Sequence, residues 1–163
     1  MNRAYLSLGS NSNAAENLRR AVALLHDRCD AIFGVIVSPV YESAASGSGA
    51  AYLNAAAILE TELSAQGLKE MVLNDIEKRL GRTRGTAEVT IDLDIVLFND
   101  AQIQVGKRAI PDPALYEQAY VALPLAEIAP DYVHPQTHET LRAIAARFSA
   151  QAGIARRADL RLE

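Results

Sequence analysis

Asp92 and Asp94, in the run Thr90-Ile91-Asp92-Leu93-Asp94-Ile95-Val96-Leu97, are the residues of this chain best placed to do chemistry. Side chains alternate along an extended segment, so residues 91, 93, 95 and 97 share one face and Asp92, Asp94 and Val96 share the other. The two Cα atoms then lie about 6.5 to 7 Å apart, from a rise of ~3.3 Å per residue, and the carboxylates can converge on one hard cation or bracket two. Two acids so close repel unless positive charge sits between them. The bland alternative is a polar stripe on an edge strand that faces solvent. Asp is disfavoured in strands, yet this pair occupies the most strand-like segment of the chain, directly after a loop carrying Arg82 and Arg84. Carboxylates for magnesium beside guanidinium groups for phosphate are what phosphoryl transfer requires, since its catalysis is mainly positioning and charge neutralisation. Taken alone, the arginines are better explained as solvated helix-end charge complementing the dipole.

Tyr52 and Asn54, two apart on an expected strand, share a face, and a ring beside an amide suits a flat heterocycle with ring nitrogens. A core tyrosine and a structural asparagine would give the same pattern. The histidines at 26, 134 and 138 are scattered, and Pro135 interrupts the i, i+4 pair, so no metal role is assigned to them. No P-loop motif is present, so any nucleotide must be held another way.

The elements that must position these residues follow from the apolar pattern. Ala4 to Leu8 reads as a strand, and Gly9-Ser10-Asn11-Ser12-Asn13 as a polar loop. Asn13 and Glu16 have capping-box spacing ahead of a helix with Leu18, Ala21, Val22 and Leu25 on its buried stripe. Ala31 to Tyr41 is a β-branched and aromatic strand in which Pro39 marks an edge or a bulge. Residues 42 to 50 form a Ser/Gly/Ala loop leading to a second strand, Tyr52 to Leu63. Ser64 caps a helix striped by Leu68, Met71, Val72, Ile76 and Leu80 and stopped by Gly81. Val89 to Phe98 is then a strand, and Gln102 to Val105 a short one. Ile110-Pro111-Asp112-Pro113 forces an extended turn, and helical pieces follow around Tyr116 to Ile128 and from His138 to Ser149. The tail from Ala155 to Glu163 is charged and expected to fray. The order β-α-β-β-α-β predicts an α+β, ferredoxin-like sandwich: a mostly antiparallel sheet with helices on one face, plus a C-terminal helical extension. Loops 42–50 and 83–90 are expected to close as lids.

The chain's 163 residues, half of them apolar, suit one domain spanning 1–163. A net charge of -4 provides no positive field for nucleic acid or anionic lipid, so small-molecule partners are expected, with no nucleic acid and no membrane. The one cysteine, Cys29, follows Leu24-Leu25 and reads as a buried, inert thiol. With no signal-peptide pattern and no apolar run of membrane-spanning length, the expected location is cytoplasmic. Oligomeric state is not legible.

Five colinear blocks resemble one family: A-Y-L-S-L-G-S-N at the start, Y-L-N-A-A from Tyr52, I-E-x-x-L-G-R-x-R from Ile76, T-I-D-L-D-I from Thr90 and L-P-L-A-E-I-A-P from Leu123. The resemblance is to the 6-hydroxymethyl-7,8-dihydropterin pyrophosphokinases and covers about the first 135 residues. It implies transfer of pyrophosphate from ATP, as co-substrate, to the pterin hydroxymethyl group in folate biosynthesis. It implies two Mg2+ ions on Asp92 and Asp94, phosphate contacts from Arg82 and Arg84, and Glu77 and Ile95 on the nucleotide side. Tyr52, Asn54, Ser43 and Tyr120 would face the pterin. The loop before the aspartates departs from the family's usual R-W-G-P-R-T: it is about three residues shorter and carries Val89 in place of an Arg. Asp112 stands where a His is usual, and Gln118 where an Arg is usual. Three readings follow: an active pyrophosphokinase with a trimmed loop, a divergent paralogue binding a pterin-like or nucleotide ligand, or a non-catalytic interaction module. Magnesium and nucleotide binding separate the last from the others, and product formation separates the first two.

Overall fold

Strands that read as nearly continuous apolar runs are explained by a sheet covered on both faces. The computed structural model describes residues 1–29, 33–44, 49–148 and 153–163. The elements run β1 (Asn2–Ser10), α1 (Ala14–Arg28), β2 (Val35–Val37), β3 (Val40–Ser43) and β4 (Tyr52–Thr61). A continuous helical segment follows, made of α2 (Ala65–Gly67), a π-helical stretch (Leu68–Leu73) and α3 (Asn74–Arg79). Then come β5 (Asp92–Phe98), the hairpin β6 (Ile103–Val105) and β7 (Arg108–Ile110), helices α4 (Ala114–Glu117), α5 (Ala119–Ile128) and α6 (Leu141–Ala146), and β8 (Ile154–Arg157). The main sheet has the order β5-β1-β4-β3-β8, with β2 also on β4, and every pairing in it is antiparallel. Each helical crossover joins strands separated by one neighbour, the expected ferredoxin-like arrangement.

Leu6, Leu8, Leu93 and Ile95 face a core shared with Leu18, Leu25, Leu68 and Ile76 of the two crossover helices. On the other face Tyr5, Ile58 and Val96 meet Leu115, Leu125 and Ile144 of the C-terminal helical extension. The extension therefore closes the second face of the sheet. No helix among the described residues is long and apolar enough to cross a membrane.

Several local expectations are corrected. The strand expected over Ala31 to Tyr41 breaks at Ser38-Pro39, where Ser38 Oγ accepts from Ala56 N at 2.8 Å and Ser38 N donates to Ala56 O at 2.9 Å. Its first two residues lie outside the described residues, as do 45–48 of the expected first lid and Ser149 of the expected last helix. Asn13 holds the α1 N-cap position in the left-handed region (φ 42) and makes no side-chain cap bond, so the capping box does not form. Ser64 caps as expected, its Oγ accepting from Gly67 N at 3.1 Å. The π stretch inserts an extra residue into the helical phase, which buries Leu73 (0%) and turns Met71 outward (63%). β5 starts at Asp92 rather than Val89, and a bulge opposite Tyr5 and Leu6 moves Leu97 from the face of Leu93 and Ile95 to the opposite core.

The tail does not fray. β8 pairs with β3, Arg157 forms ion pairs with Glu42 and Asp159, and Leu162 (9% exposed) enters the first core. Leu162→Ala is therefore expected to lower the unfolding free energy by about 2 to 3 kcal/mol, read as an earlier urea midpoint; an unchanged midpoint would return the tail to the frayed class. Burial pushes the Cys29 thiol up to about 11. Its thiolate at pH 8 is then about a hundredfold scarcer than for an ordinary exposed thiol, and alkylation of the native protein should be slower than of the urea-unfolded chain by a comparable factor.

Candidate active site

Strand register assembles the site. Gly9 of β1 stands opposite Asn54 of β4 on one side and Asp92 of β5 on the other, so acid, glycine and amide form one row across the sheet on a single face. One step along, Ser7 is opposite Asp94, and on the far side Ser43 is opposite Tyr52. A Cβ at Gly9 would sit 3.5 Å from Asn54 Oδ1 and 3.8 Å from Tyr52 Cδ1, filling the space this row encloses. The row opens into a cavity of about 660 Å³ lined by Tyr52, Asn54, Ser43, Asp92, Asp94 and Tyr120, among others. Asn54 is buried, and its Nδ2 donates to Ser43 Oγ at 2.9 Å, which leaves its carbonyl oxygen toward Gly9. Burial, followed by the charges of Asp112, Asp92 and Asp94, raises the Tyr120 phenol, so that ring faces the cavity with its proton on. A second cavity of about 330 Å³ lies beside the first, and the two share Asp94 and Arg108. Ile95, Lys69 and Gln66 line the smaller one.

The acids differ in setting. The Asp94 side chain is 17% exposed and that of Asp92 is 36%. Burial, and then the charge of Asp92, push the Asp94 carboxyl above its ordinary range, while Arg108 and Lys69 draw it back. Lys69 Nζ is 3.6 Å from Asp94 Oδ1, and Arg108 Nη2 is 3.2 Å from Oδ2. Arg84 reaches Asp92 at 3.7 Å and Glu77 at 2.7 Å. Arg82 does not join this group: its Nη1 donates to Thr83 O at 2.6 Å, and its buried Nε has no partner among the described residues.

Glu77 lies behind the acid pair rather than in either cavity. It is buried, and its Oε1 accepts from Leu93 N at 2.8 Å on the free edge of β5, while Lys69 Nζ donates to Leu93 O at 2.6 Å. The edge strand thus has its exposed backbone groups occupied by side chains from the preceding helical segment. Loop 83–90, expected as a lid, is stitched to the first polar loop here. Asn11 Nδ2 donates to Ala87 O at 2.8 Å, Val89 N donates to Asn11 Oδ1 at 2.6 Å, and Asn11 N donates to Val89 O at 2.9 Å. Of the family departures, Val89 is buried in this stitch and Gln118 lines the larger cavity. Asp112 accepts from Ala114 N at 2.9 Å and from Arg108 Nη1 at 3.0 Å. His134 is a buried local cap whose Nδ1 accepts from Gln136 N at 3.2 Å.

Sequence reasoning missed Lys69, Arg108 and Asn11. Asn11 sat in a recognised polar loop, but Lys69, beside Glu70, and Arg108, beside Lys107, belong to no motif and are brought to Asp94 only by folding. Among the described residues, no group of three or more His, Cys, Asp and Glu could hold a metal unaided. Two carboxylates on one strand face suit an ion that takes one or two carboxylates and draws its remaining ligands from water and phosphate, as magnesium does.

Fold and site together define an α+β domain in which a strand-borne carboxylate pair lines one cavity and its second member, Asp94, also borders another. The family model for 7,8-dihydro-6-hydroxymethylpterin-pyrophosphokinase (HPPK) matches residues 5–130, and the chain belongs to that family. It is 42% identical over 132 residues to the 2-amino-4-hydroxy-6-hydroxymethyldihydropteridine pyrophosphokinase of Bacillus subtilis, covering 78% of each chain. It is 39% identical to the Methylorubrum extorquens protein of that name, covering 82% of this chain and 86% of the other. The Schizosaccharomyces pombe folic acid synthesis protein fol1 is 35% identical, with 85% of this chain covering 19% of that longer protein. Among solved structures, Plasmodium falciparum HPPK-DHPS shares the fold at a TM-score of 0.73 and 13% identity, with 95% of this chain spanning 47% of that one.

Glu77 provides a stability test. Glu77→Ala leaves the Leu93 N–H unpaired and removes one of the two carboxylates beside Lys69, and is expected to cost about 2 to 4 kcal/mol. Glu77→Gln retains a carbonyl for Leu93 and should cost about 1 kcal/mol, because the bond to the exposed Arg84 is screened. Urea denaturation of both variants checks the ordering, and equal losses would contradict it.

Proposed function

We propose that this chain transfers the β,γ-pyrophosphoryl group of ATP to the hydroxymethyl oxygen of 6-hydroxymethyl-7,8-dihydropterin. The observation that carries this reading is the row Asp92–Gly9–Asn54: it sets the carboxylate pair beside the amide and aromatic groups of the larger cavity, with the smaller cavity on the other side of Asp94. In this reading the pterin lies in the larger cavity. Asn54 offers its carbonyl oxygen to a ring N–H, held in that orientation by the bond to Ser43, and Tyr52 and Tyr120 supply apolar faces. The nucleotide lies on the side of Ile95 and Lys69.

The pterin hydroxyl oxygen forms a bond to the β-phosphorus, the bond from that phosphorus to the α,β-bridging oxygen breaks, and AMP leaves with the bridging oxygen while the hydroxyl proton is released. Asp92 and Asp94 would hold Mg2+, two ions on this reading, which neutralises phosphate charge when bound. Arg84 screens the acid pair from the loop side, and Glu77 fixes both Arg84 and the edge of β5, so the carboxylates meet the phosphates in one orientation.

The test is AMP formation from MgATP and 6-hydroxymethyl-7,8-dihydropterin. Stoichiometric AMP and pterin diphosphate are expected, with a loss of at least about a thousandfold in Asp92→Ala/Asp94→Ala. A folded wild-type protein that forms no AMP would move the chain to the divergent, ligand-binding class.

A further inference from the structure

Asp94 is flanked by two cations from elements remote in sequence. Lys69 comes from the π-helical stretch and approaches Oδ1 at 3.6 Å; Arg108 comes from β7 and approaches Oδ2 at 3.2 Å. Each has a second anchor that does not depend on Asp94. Lys69 donates to Leu93 O at 2.6 Å and lies 3.7 Å from Glu77, while Arg108 is held at 3.0 Å by Asp112, itself fixed by Ala114 N. Both cations line the smaller cavity, and Arg108 also lines the larger one, so it stands at the wall the two share.

A divalent ion taken up by Asp94 competes directly with both cations for the same oxygens and repels them at close range. Their second anchors keep them at the cavity wall, where the charge given up by Asp94 must be replaced. Anionic oxygens entering with the ion would do so, and those of a polyphosphate match in charge and reach. We propose that Lys69 and Arg108 form a two-cation clamp for the polyphosphate of a nucleoside triphosphate: without nucleotide they rest on Asp94, and on nucleotide entry they pass from that carboxylate to phosphate oxygens. This rests on the reading of the smaller cavity as the nucleotide side.

Calorimetric titration of the full chain with the magnesium complex of α,β-methylene ATP, which cannot be cleaved at the reacting bridge, tests the clamp. Lys69→Met and Arg108→Met should each weaken analogue binding by about tenfold to a hundredfold, the range for one charge-assisted phosphate contact. Lys69→Arg should restore most of it, and in Lys69→Met, whose side chain lines only the smaller cavity, 6-hydroxymethyl-7,8-dihydropterin affinity should stay within about twofold. Lys69→Gln and Arg108→Gln serve as replacements if a Met variant lacks a cooperative thermal transition. Wild-type analogue affinity in both neutral variants overturns the clamp, and so does a fall in the pterin affinity of Lys69→Met as large as its fall for the analogue, which marks a structural role. Wild-type AMP formation alongside either of these results leaves the proposed activity standing, whereas failure of the wild-type chain to bind the analogue overturns both.

Discussion

Two like charges on one face of one strand, partly withdrawn from water, set the terms for everything around them. At a separation of about 6.5 Å and an effective dielectric near 20, their repulsion is about 2 to 3 kcal/mol, a large share of a small domain's stability. The fold answers with positive charge from three directions. Arg84 comes from the loop before β5, Lys69 from the helical segment beneath its edge, and Arg108 from the hairpin beyond its end. Asp94 is the more buried acid: burial raises its carboxyl, and the two cations it receives draw it back. An acid pair that must be compensated when empty is also one that a divalent ion can occupy, so the same constraint underlies both the fold and the proposed chemistry.

The edge position of β5 makes this arrangement accessible. A central strand would spend all its backbone groups on neighbours, whereas the free edge leaves Leu93 N–H and C=O for Glu77 and Lys69. These two side chains thereby cover an edge that could pair with another chain, and they tie the helical segment to the strand bearing the acids. On the opposite flank, β8 extends the sheet beyond β3, and Gly153 O accepts from Ala44 N at 2.9 Å. The C-terminal segment thus builds part of the wall around Ser43, and the extension acts as a lining of the larger cavity as well as a cover for the second core.

The first polar loop has a role in this arrangement distinct from binding phosphate. Asn11 uses its backbone N–H, side-chain amide and side-chain carbonyl to hold Ala87 and Val89, so the shortened loop is moored to the end of β1 and delivers Arg84 next to Asp92 and Glu77. Gly9, immediately before it, keeps the row between Asp92 and Asn54 open because a side chain there would occupy the space the cavity needs.

The sequence by itself determined the β-α-β-β-α-β order of the sheet's core, the buried stripe of α1, the Ser64 cap and the shared face of Asp92 and Asp94, because each depends on residues within a turn or two of one another. Tyr52 and Asn54 were legible for a similar reason, since alternation along one strand fixes which side chains look the same way, whereas Ser43 was placed only by the family resemblance. Only tertiary structure decided the rest. The bulge in β5 exists to match β1 and reverses Leu97; the π stretch rephases Met71 and Leu73; and the tail becomes β8 because β3 offers it an edge and Leu162 a core to enter. Lys69 and Arg108 meet Asp94 across 25 and 14 residues of chain, and no local pattern marks a charge whose partner is chosen by folding.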